Sequence, residues 1–364
     1  MNAIAEVDVS VTRLGVVLSS DGSDEEREGV LNPAATRTRD GKLLLYPRMV
    51  AAGNRSKIGI AEAEGDAAAP VFKRIGVALE PQEPYELRTS SGGYGCEDAR
   101  VTFIPVIDAY AMAYTAYGPN GPRIAFALSS DGYEWKRVGL ADFSAHGLPC
   151  GDDKDGAFFP EPVVSPKGVP SIAFYHRPML HISAMDGCAA LPVILAMPPR
   201  DRESTRVAYV PLDAVLEDRR NLVKVSESVL VLEPGQGWGA VKNGGGTPPV
   251  RIDEGWLSLF HGVDGTFDAK GGCVGMRYSA GLVVHDAERP HVVRYRSPAP
   301  IITPETSDES IGVVNNVVFP TGIDVRPGAP PCTFDVYYGM ADSRIGRFAL
   351  SVNVSELTGE ESAA

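Results

Sequence analysis

An all-β fold, a five-bladed β-propeller with a short helical insertion between blades 3 and 4, is predicted by three features of the 364-residue chain. A loop rich in Gly or Asp leads repeatedly into a short apolar and aromatic strand that ends on a polar residue, and a second strand follows after a turn. This unit recurs five times at intervals of roughly 65 to 80 residues, the period of a radial array of small sheets. The 39 glycines and 29 prolines supply many turns and suit short strands better than long helices.

In chain order, the first unit pairs residues 41–48 with 57–61, and the second pairs 109–117 with 123–127. In the third, 170–177 is followed by a partner near 191–196; in the fourth, 255–262 precedes 278–283; in the fifth, 334–342 precedes 346–350. Residues 198–226 break the pattern. They open on a charged loop, and Leu212, Val215, Leu216 and Leu222 then follow at near-helical spacing behind Pro211. They read as a surface insertion in a single domain spanning 1–364, with frayed ends at about 1–14 and 356–364. A β-sandwich with irregular loops is disfavoured, because its strands recur every roughly 8 to 12 residues without a long period.

The same pattern places a polar residue at the end of each apolar strand: Arg48, Thr115, His176 with Arg177, His261 and Asp342. In a radial array these ends meet around one axis, so residues distant in sequence line one funnel.

A net charge of −13 argues against a nucleic-acid partner. The first ten residues carry Glu6 and Asp8 and read as neither signal nor anchor, and no apolar run is long enough for a membrane span. Five scattered cysteines without a CxxC pair read as reduced thiols of a cytoplasmic protein, with no zinc site. No metal-ligand spacing is visible, and no cofactor is expected.

Two constellations carry chemistry. Glu97, Asp98 and Arg100 form an acid with a charge partner at a strand mouth; if Asp98 and Arg100 are both extended, they point to one side. Asn32, Arg48, Asn316, Glu309 and Asp342 join Asp98 as groups suited to sugar hydroxyls, drawn from different repeats as a central funnel requires. The second constellation is basic: Arg123, Arg137, Lys154, His176 and Arg177. Gathered on one cavity they would hold phosphate, since guanidinium forks match its oxygens.

Asn32-Pro33, residues 56–61, Glu97-Asp98-Ala99-Arg100, residues 114–117, 154–161, His176-Arg177-Pro178, residues 255–257, His261-Gly262-Val263 and residues 338–343 come in the order seen in glycoside hydrolase family 130, which the chain resembles from about 32 to 350. That family contains the β-mannoside phosphorylases, and its fold is a five-bladed propeller. The resemblance implies an inverting reaction in which inorganic phosphate, as co-substrate, attacks a terminal β-mannoside and yields α-mannose 1-phosphate. It implies Asp98 as proton donor, acting through a hydroxyl of the mannose, and Arg123, Arg137, Lys154, His176 and Arg177 as phosphate ligands. Asn32, Arg48, Arg100, His261, Glu309, Asn316 and Asp342 are then expected to bind substrate.

The chain departs from the pattern at Ala99, where the family has proline, at Asp308 before Glu309, at Gly239 after Trp238, in the glycine-rich run 242–246, and at Pro47 before Arg48. These positions bear on which sugar leaves. The competing readings are a hydrolase of the same family, which uses a carboxylate base in place of the cations, and a non-catalytic sugar-binding propeller. The partners expected are a small β-mannoside and phosphate; the oligomeric state, including a homo-oligomer, is left open.

Overall fold

The structure, a computed structural model, describes residues 4–88, 92–146, 151–180, 187–235 and 237–356. Strands dominate, arranged in four antiparallel-rich sheets. The first contains Ile4–Ser19, Arg344–Glu356, Thr333–Met340 and Val318–Asp324 in that order. Its outer pair joins the two ends of the chain, in register from Ile4 opposite Glu356 to Ser19 opposite Arg344. The expectation of a frayed N-terminal stretch up to residue 14 is therefore overturned for residues 4–14. Alternating Val7, Val9 and Val11 pack onto a core cluster of the same sheet, and that burial holds the strand down. The expected fraying after 356 lies outside the described residues.

The second sheet runs through eight strands. Gly29–Arg37, Leu43–Ala51, Arg55–Glu64 and Val71–Leu79 are joined to Tyr94–Ile104, Ala109–Gly118, Gly121–Ser129 and Lys136–Leu140 by a short parallel contact, Arg55 and Ser56 against Tyr94 and Gly95. The third holds Asp153–Phe158, Pro170–Pro178, Thr205–Pro211 and Glu227–Leu232, and the fourth Lys242–Gly245, Gly255–Phe267, Cys273–His285 and Val293–Arg296; each has one short extra strand.

Two sequence assignments in the third unit are corrected. Residues 187–196 form a helix, Gly187–Ala196, not a strand. Its Leu191 packs with Val241 and Val263, and Cys188 is joined to Cys273 by a disulfide, so tertiary contacts override the strand-like run of Leu, Val and Ile. The partner of Pro170–Pro178 is instead Thr205–Pro211. The helix expected within 198–226 forms at Leu212–Glu217, but it connects two strands of one sheet and does not stand between sheets. Val215 pins it there, fully buried in a cluster with Ile172, Phe174 and Val210. The disulfide also corrects the expectation of thiols reduced throughout; Cys96 and Cys332 are free. Among the described residues, no helix is long and apolar enough to cross a membrane.

One strand from each of three sheets and two from the eight-stranded sheet, each preceding the strands assigned to the repeat units, lie against one another. Gly29–Arg37 touches Tyr94–Ile104 and Val318–Asp324, and Asp153–Phe158 touches Tyr94–Ile104 and Lys242–Gly245. Side chains tie these strands across sheet boundaries: Thr102 Oγ1 donates to the Phe158 carbonyl at 3.1 Å, and Thr321 Oγ1 to the Pro33 carbonyl at 2.9 Å. Apolar contacts fill the wedges between sheets. Phe126, Phe158 and Phe174 meet there with ring centroids 4.7 to 5.5 Å apart, each burial worth about 2 to 3 kcal/mol.

Three of these converging strands carry the same irregularity. The pairing register breaks between Leu31 and Ala34, between Glu97 and Arg100, and between Lys154 and Ala157. Within the breaks, Asn32, Asp98 and Asp155 take left-handed backbone angles, φ of 43°, 49° and 64°. Asn and Asp tolerate that conformation better than other side chains, and a bulge re-aims the residue it displaces. Asp98 and Arg100 are therefore not both extended, and the reading that put them on one side by alternation fails. At Gly244, on the next converging strand, a Cβ would lie 2.1 Å from Asp155 Oδ2 and 2.4 Å from His261 Cε1. Glycine is required there because its neighbours occupy the space.

Candidate active site

The re-aimed side chains open onto a cleft of two joined chambers. The inner one, about 200 Å³, is lined by Asn32, Asp98, Asp155, Arg177, Lys242, His261, Tyr278 and Phe319 among others. The outer one, about 500 Å³, adds Glu28, Asn54, Glu97, Tyr117 and Val313. Arg48, Lys154, Met179, Val314 and Asp342 line both.

Asp98 sits at the centre of a fan of donors. Asn32 Nδ2 donates to its Oδ1 at 3.0 Å and Arg48 Nη1 at 3.3 Å. Arg48 is fixed in turn by Ser56 Oγ at 2.9 Å, Asn54 Oδ1 at 2.9 Å and Glu97 Oε1 at 3.1 Å. Glu97, buried, also accepts from Lys154 Nζ at 3.2 Å. Beneath them the buried Arg100 guanidinium donates to the backbone carbonyls of Asp98, Gly245 and Gly246. Burial by itself would raise the Asp98 carboxyl, but Arg48, Lys154 and Arg100 outweigh it and hold it below the ordinary aspartate value.

Asp342 is the contrasting carboxyl. It also has a left-handed backbone, φ 50°, and burial pushes it up to about 6, with Arg48 opposing the rise and the Asp98 charge adding to it. One cleft thus holds an aspartate kept ionised and another that keeps its proton well into the mildly acidic range.

The deeper wall alternates in charge. Arg177 Nε donates to Asp155 Oδ2 at 2.6 Å, and its Nη1 pairs with Glu203. Arg100 Nη2 lies 3.6 Å from Asp155, and His261 Nε2 lies 3.8 Å from it. Burial raises the Asp155 carboxyl, yet Arg177, His261 and Arg100 hold it far below the carboxylate range. Burial drives His261 down to about 3, so its imidazole is neutral; its Nδ1 has no hydrogen-bond partner, and its ring packs on Phe319 at 4.6 Å. Lys242 Nζ stands 5.7 Å over the Tyr278 ring.

Of the residues expected from sequence to bind substrate or carry the reaction, Asp98, Asn32, Arg48, Asp342 and His261 line this cleft, and Arg100 supports it from below. Two do not. Glu309, fully buried, caps the helix Ser307–Ser310 through the backbone of Thr306 and accepts from Arg13 Nε at 2.9 Å and Tyr338 Oη at 2.8 Å. Its carboxylate is consumed in tying the N-terminal strand to that loop. Asn316 contributes its backbone carbonyl to the Tyr278 N–H and lines neither chamber.

The expected phosphate set divides in the same way. Lys154 and Arg177 line the inner chamber. Arg137 does not: its Nε and Nη2 fork the buried carboxylate of Glu86 at 2.8 and 2.9 Å. His176 is spent on Asp153 Oδ2 and Ser228 Oγ, each at 2.7 Å. Arg123, half-buried on its strand, lines neither chamber.

Sequence reasoning missed Asp155, Glu203, Lys242, Tyr278 and Phe319. For Asp155 a local signal existed: Asn32-Pro33, Asp98-Ala99 and Asp155-Gly156 each put Asn or Asp before a small or cyclic residue. For Lys242 the signal was the glycine run behind it. Glu203, Tyr278 and Phe319 carry none.

Residues 213–357 match the family model described as beta-1,4-mannooligosaccharide phosphorylase. A beta-1,4-mannooligosaccharide phosphorylase of Ruminococcus albus is 34% identical over 115 residues, 31% of this chain and 31% of that protein. A 1,2-beta-oligomannan phosphorylase of Thermoanaerobacter is 28% identical over 255 residues, 69% of this chain and 67% of that one. The chain thus spans about a third of the length of the first and about two thirds of the second. Among solved structures, a beta-1,2-mannobiose phosphorylase of Listeria innocua, in complex with beta-1,2-mannobiose, superposes with a TM-score of 0.68 at 20% identity, covering 93% of this chain and 96% of that one. The resemblance to glycoside hydrolase family 130 is shown by these matches.

Proposed function

We propose that the protein is an inverting phosphorylase of terminal β-mannosides, built as a five-bladed propeller in which the eight-stranded sheet supplies two blades. One observation carries the reading: the carboxylate of Asp98 and the cations Lys154, Arg177 and Lys242 face a single small chamber. An oxygen of inorganic phosphate attacks the anomeric carbon from the side opposite the glycosidic oxygen. The C1–O bond breaks, and the departing oxygen takes a proton originating on Asp98, relayed through a sugar hydroxyl. The products are α-mannose 1-phosphate and the released sugar. Phosphate as nucleophile needs no second carboxylate base; it needs cations that hold it in line.

Asp98 must be protonated to donate, and Arg48, Lys154 and Arg100 oppose that. Asp342, which carries a proton up to about pH 6 and lines the same chambers, is the group positioned to share one with it. The outer chamber receives the leaving sugar, with the Tyr117 ring as an aromatic face.

Hydrolysis is the second reading, and one observation favours it. Arg177 is already paired with both Asp155 and Glu203, so part of the positive charge is compensated before any anion arrives. The test is incubation with β-1,2- and β-1,4-mannobiose with and without phosphate. Mannose 1-phosphate formed only when phosphate is present supports phosphorolysis; free mannose at equal rates in both arms supports hydrolysis and refutes it. No turnover in either arm refutes both.

A further inference from the structure

We infer that Glu203 is the resident counter-anion of the phosphate subsite: its carboxylate neutralises Arg177 and Lys242 in the free protein, and incoming phosphate competes with it for both. The inference rests on the phosphorolytic reading above.

The backbone around Glu203 is fixed from both sides. The Arg202 guanidinium donates to the carbonyls of Leu195 at 2.9 Å, Met197 at 2.7 Å and Ala240 at 2.6 Å, and Ser204 Oγ donates to the Arg202 carbonyl at 2.8 Å. The carbonyl of Glu203 itself accepts the Asn243 N–H at 3.1 Å, and Asn243 Oδ1 accepts from Thr205 N and Oγ1. Glu203 is thus clamped between the third and fourth sheets, two residues before the strand Thr205–Pro211.

Its side chain has three partners. Oε1 accepts the Leu180 N–H at 3.2 Å, while Oε2 pairs with Arg177 Nη1 and lies 3.9 Å from Lys242 Nζ. The side chain is only 12% exposed. Burial raises its carboxyl, but Arg177 and Lys242 overcome that and keep it ionised. Glu203 itself stands behind the chamber, on a neighbouring pocket that it lines with Leu180 and Arg202. Both cations held by Glu203 line the inner chamber.

The buried Arg177, which also pairs with Asp155, and the half-buried Lys242 gain in Glu203 a tethered counter-charge. The same charge then opposes a second anion at short range. With an effective dielectric near 20, a like charge a few ångströms away weakens phosphate binding by about tenfold or more. Arg177 stays oriented without Glu203, because Asp155 Oδ2 still accepts its Nε.

The test compares the wild type with Glu203→Gln and Glu203→Asp, reading phosphate affinity by calorimetry and initial rates at varied phosphate and fixed β-mannobiose. Glu203→Gln is expected to lower both Kd and KM for phosphate about tenfold, with KM for the mannoside changing less than twofold; Glu203→Asp, which keeps the charge, is expected to stay near the wild type. Unchanged or weaker phosphate binding in a Glu203→Gln protein whose unfolding midpoint matches the wild type overturns the inference while leaving phosphorolysis intact. Equal release of free mannose by the wild type with and without phosphate overturns the phosphorolytic reading, and this inference with it.

Discussion

Replacing Asp342 by Asn tests whether the cleft stores electrostatic strain in this carboxyl. In the folded protein it titrates near 6, against 3.8 for an ordinary aspartate. A carboxyl whose folded value lies above its unfolded value binds more protons when folded, so the protein loses stability as the pH rises through the window between the two. Two units correspond to about 3 kcal/mol. Asp342 keeps an edge on the solvent of the cleft, and screening reduces this to about 1 to 2 kcal/mol. Asparagine resembles the protonated side chain and does not titrate. The variant should therefore match the wild type at pH 4 and exceed it by about 1 to 2 kcal/mol at pH 8. Urea unfolding of both proteins at the two pH values measures this directly, and taking the difference cancels the titrating groups that do not interact with Asp342. A wild-type-minus-variant difference that is the same at pH 4 and pH 8 would refute the argument, because it would mean that the Asp342 charge costs nothing in place.

Asp98→Asn is expected to lower kcat by at least about a thousandfold, as loss of the proton donor would, and to lower the unfolding midpoint at neutral pH, because Arg48 and Lys154 lose the charge that they hold ionised; a rate within tenfold of the wild type removes Asp98 from the mechanism. Lys242→Ala should raise KM for phosphate by about tenfold or more, whereas Arg137→Ala should leave that KM alone and instead destabilise the fold by about 3 to 5 kcal/mol, because Glu86 would be left charged, buried and unpaired. Steady-state kinetics and denaturant titration of the two variants separate these outcomes, and a phosphate effect in Arg137→Ala would return that residue to the site. Replacing Cys188 and Cys273 together by Ser should cost about 3 kcal/mol, read as a lower thermal midpoint that no longer responds to reductant; an unchanged midpoint would mean that the crosslink constrains little.

How much of this was legible depends on which physical effect decides each position. The β-architecture follows from local pattern: most of the apolar strands set off by Gly and Asp turns appear where the sequence places them. Of the five polar positions expected at strand ends, Arg48, Arg177, His261 and Asp342 reach one cleft, Arg48 and His261 from within their strands, whereas Thr115 and His176 do not line it. The helix Gly187–Ala196 was misread because a short apolar run carries no period of its own, and its contacts with Val241 and Cys273 lie far along the chain. The phosphate set failed for a different reason. A sequence enumerates cations, but a cation serves a ligand only if no carboxylate claims it first. Arg137 is claimed by Glu86, 51 residues earlier, and His176 by Asp153 and Ser228. Glu309 is claimed by Arg13 from 296 residues away. Such pairings follow from which sheets lie side by side, not from residue type. Lys242 reaches the chamber by the same logic in reverse: the glycines after it let Asp155, His261 and Arg177 crowd against its strand, and the lysine stands at the edge of that crowd. In a site built from converging strands, the informative unit is therefore the bulged Asn or Asp that turns a side chain inward, together with the glycine that makes room for it. Charge alone identifies neither.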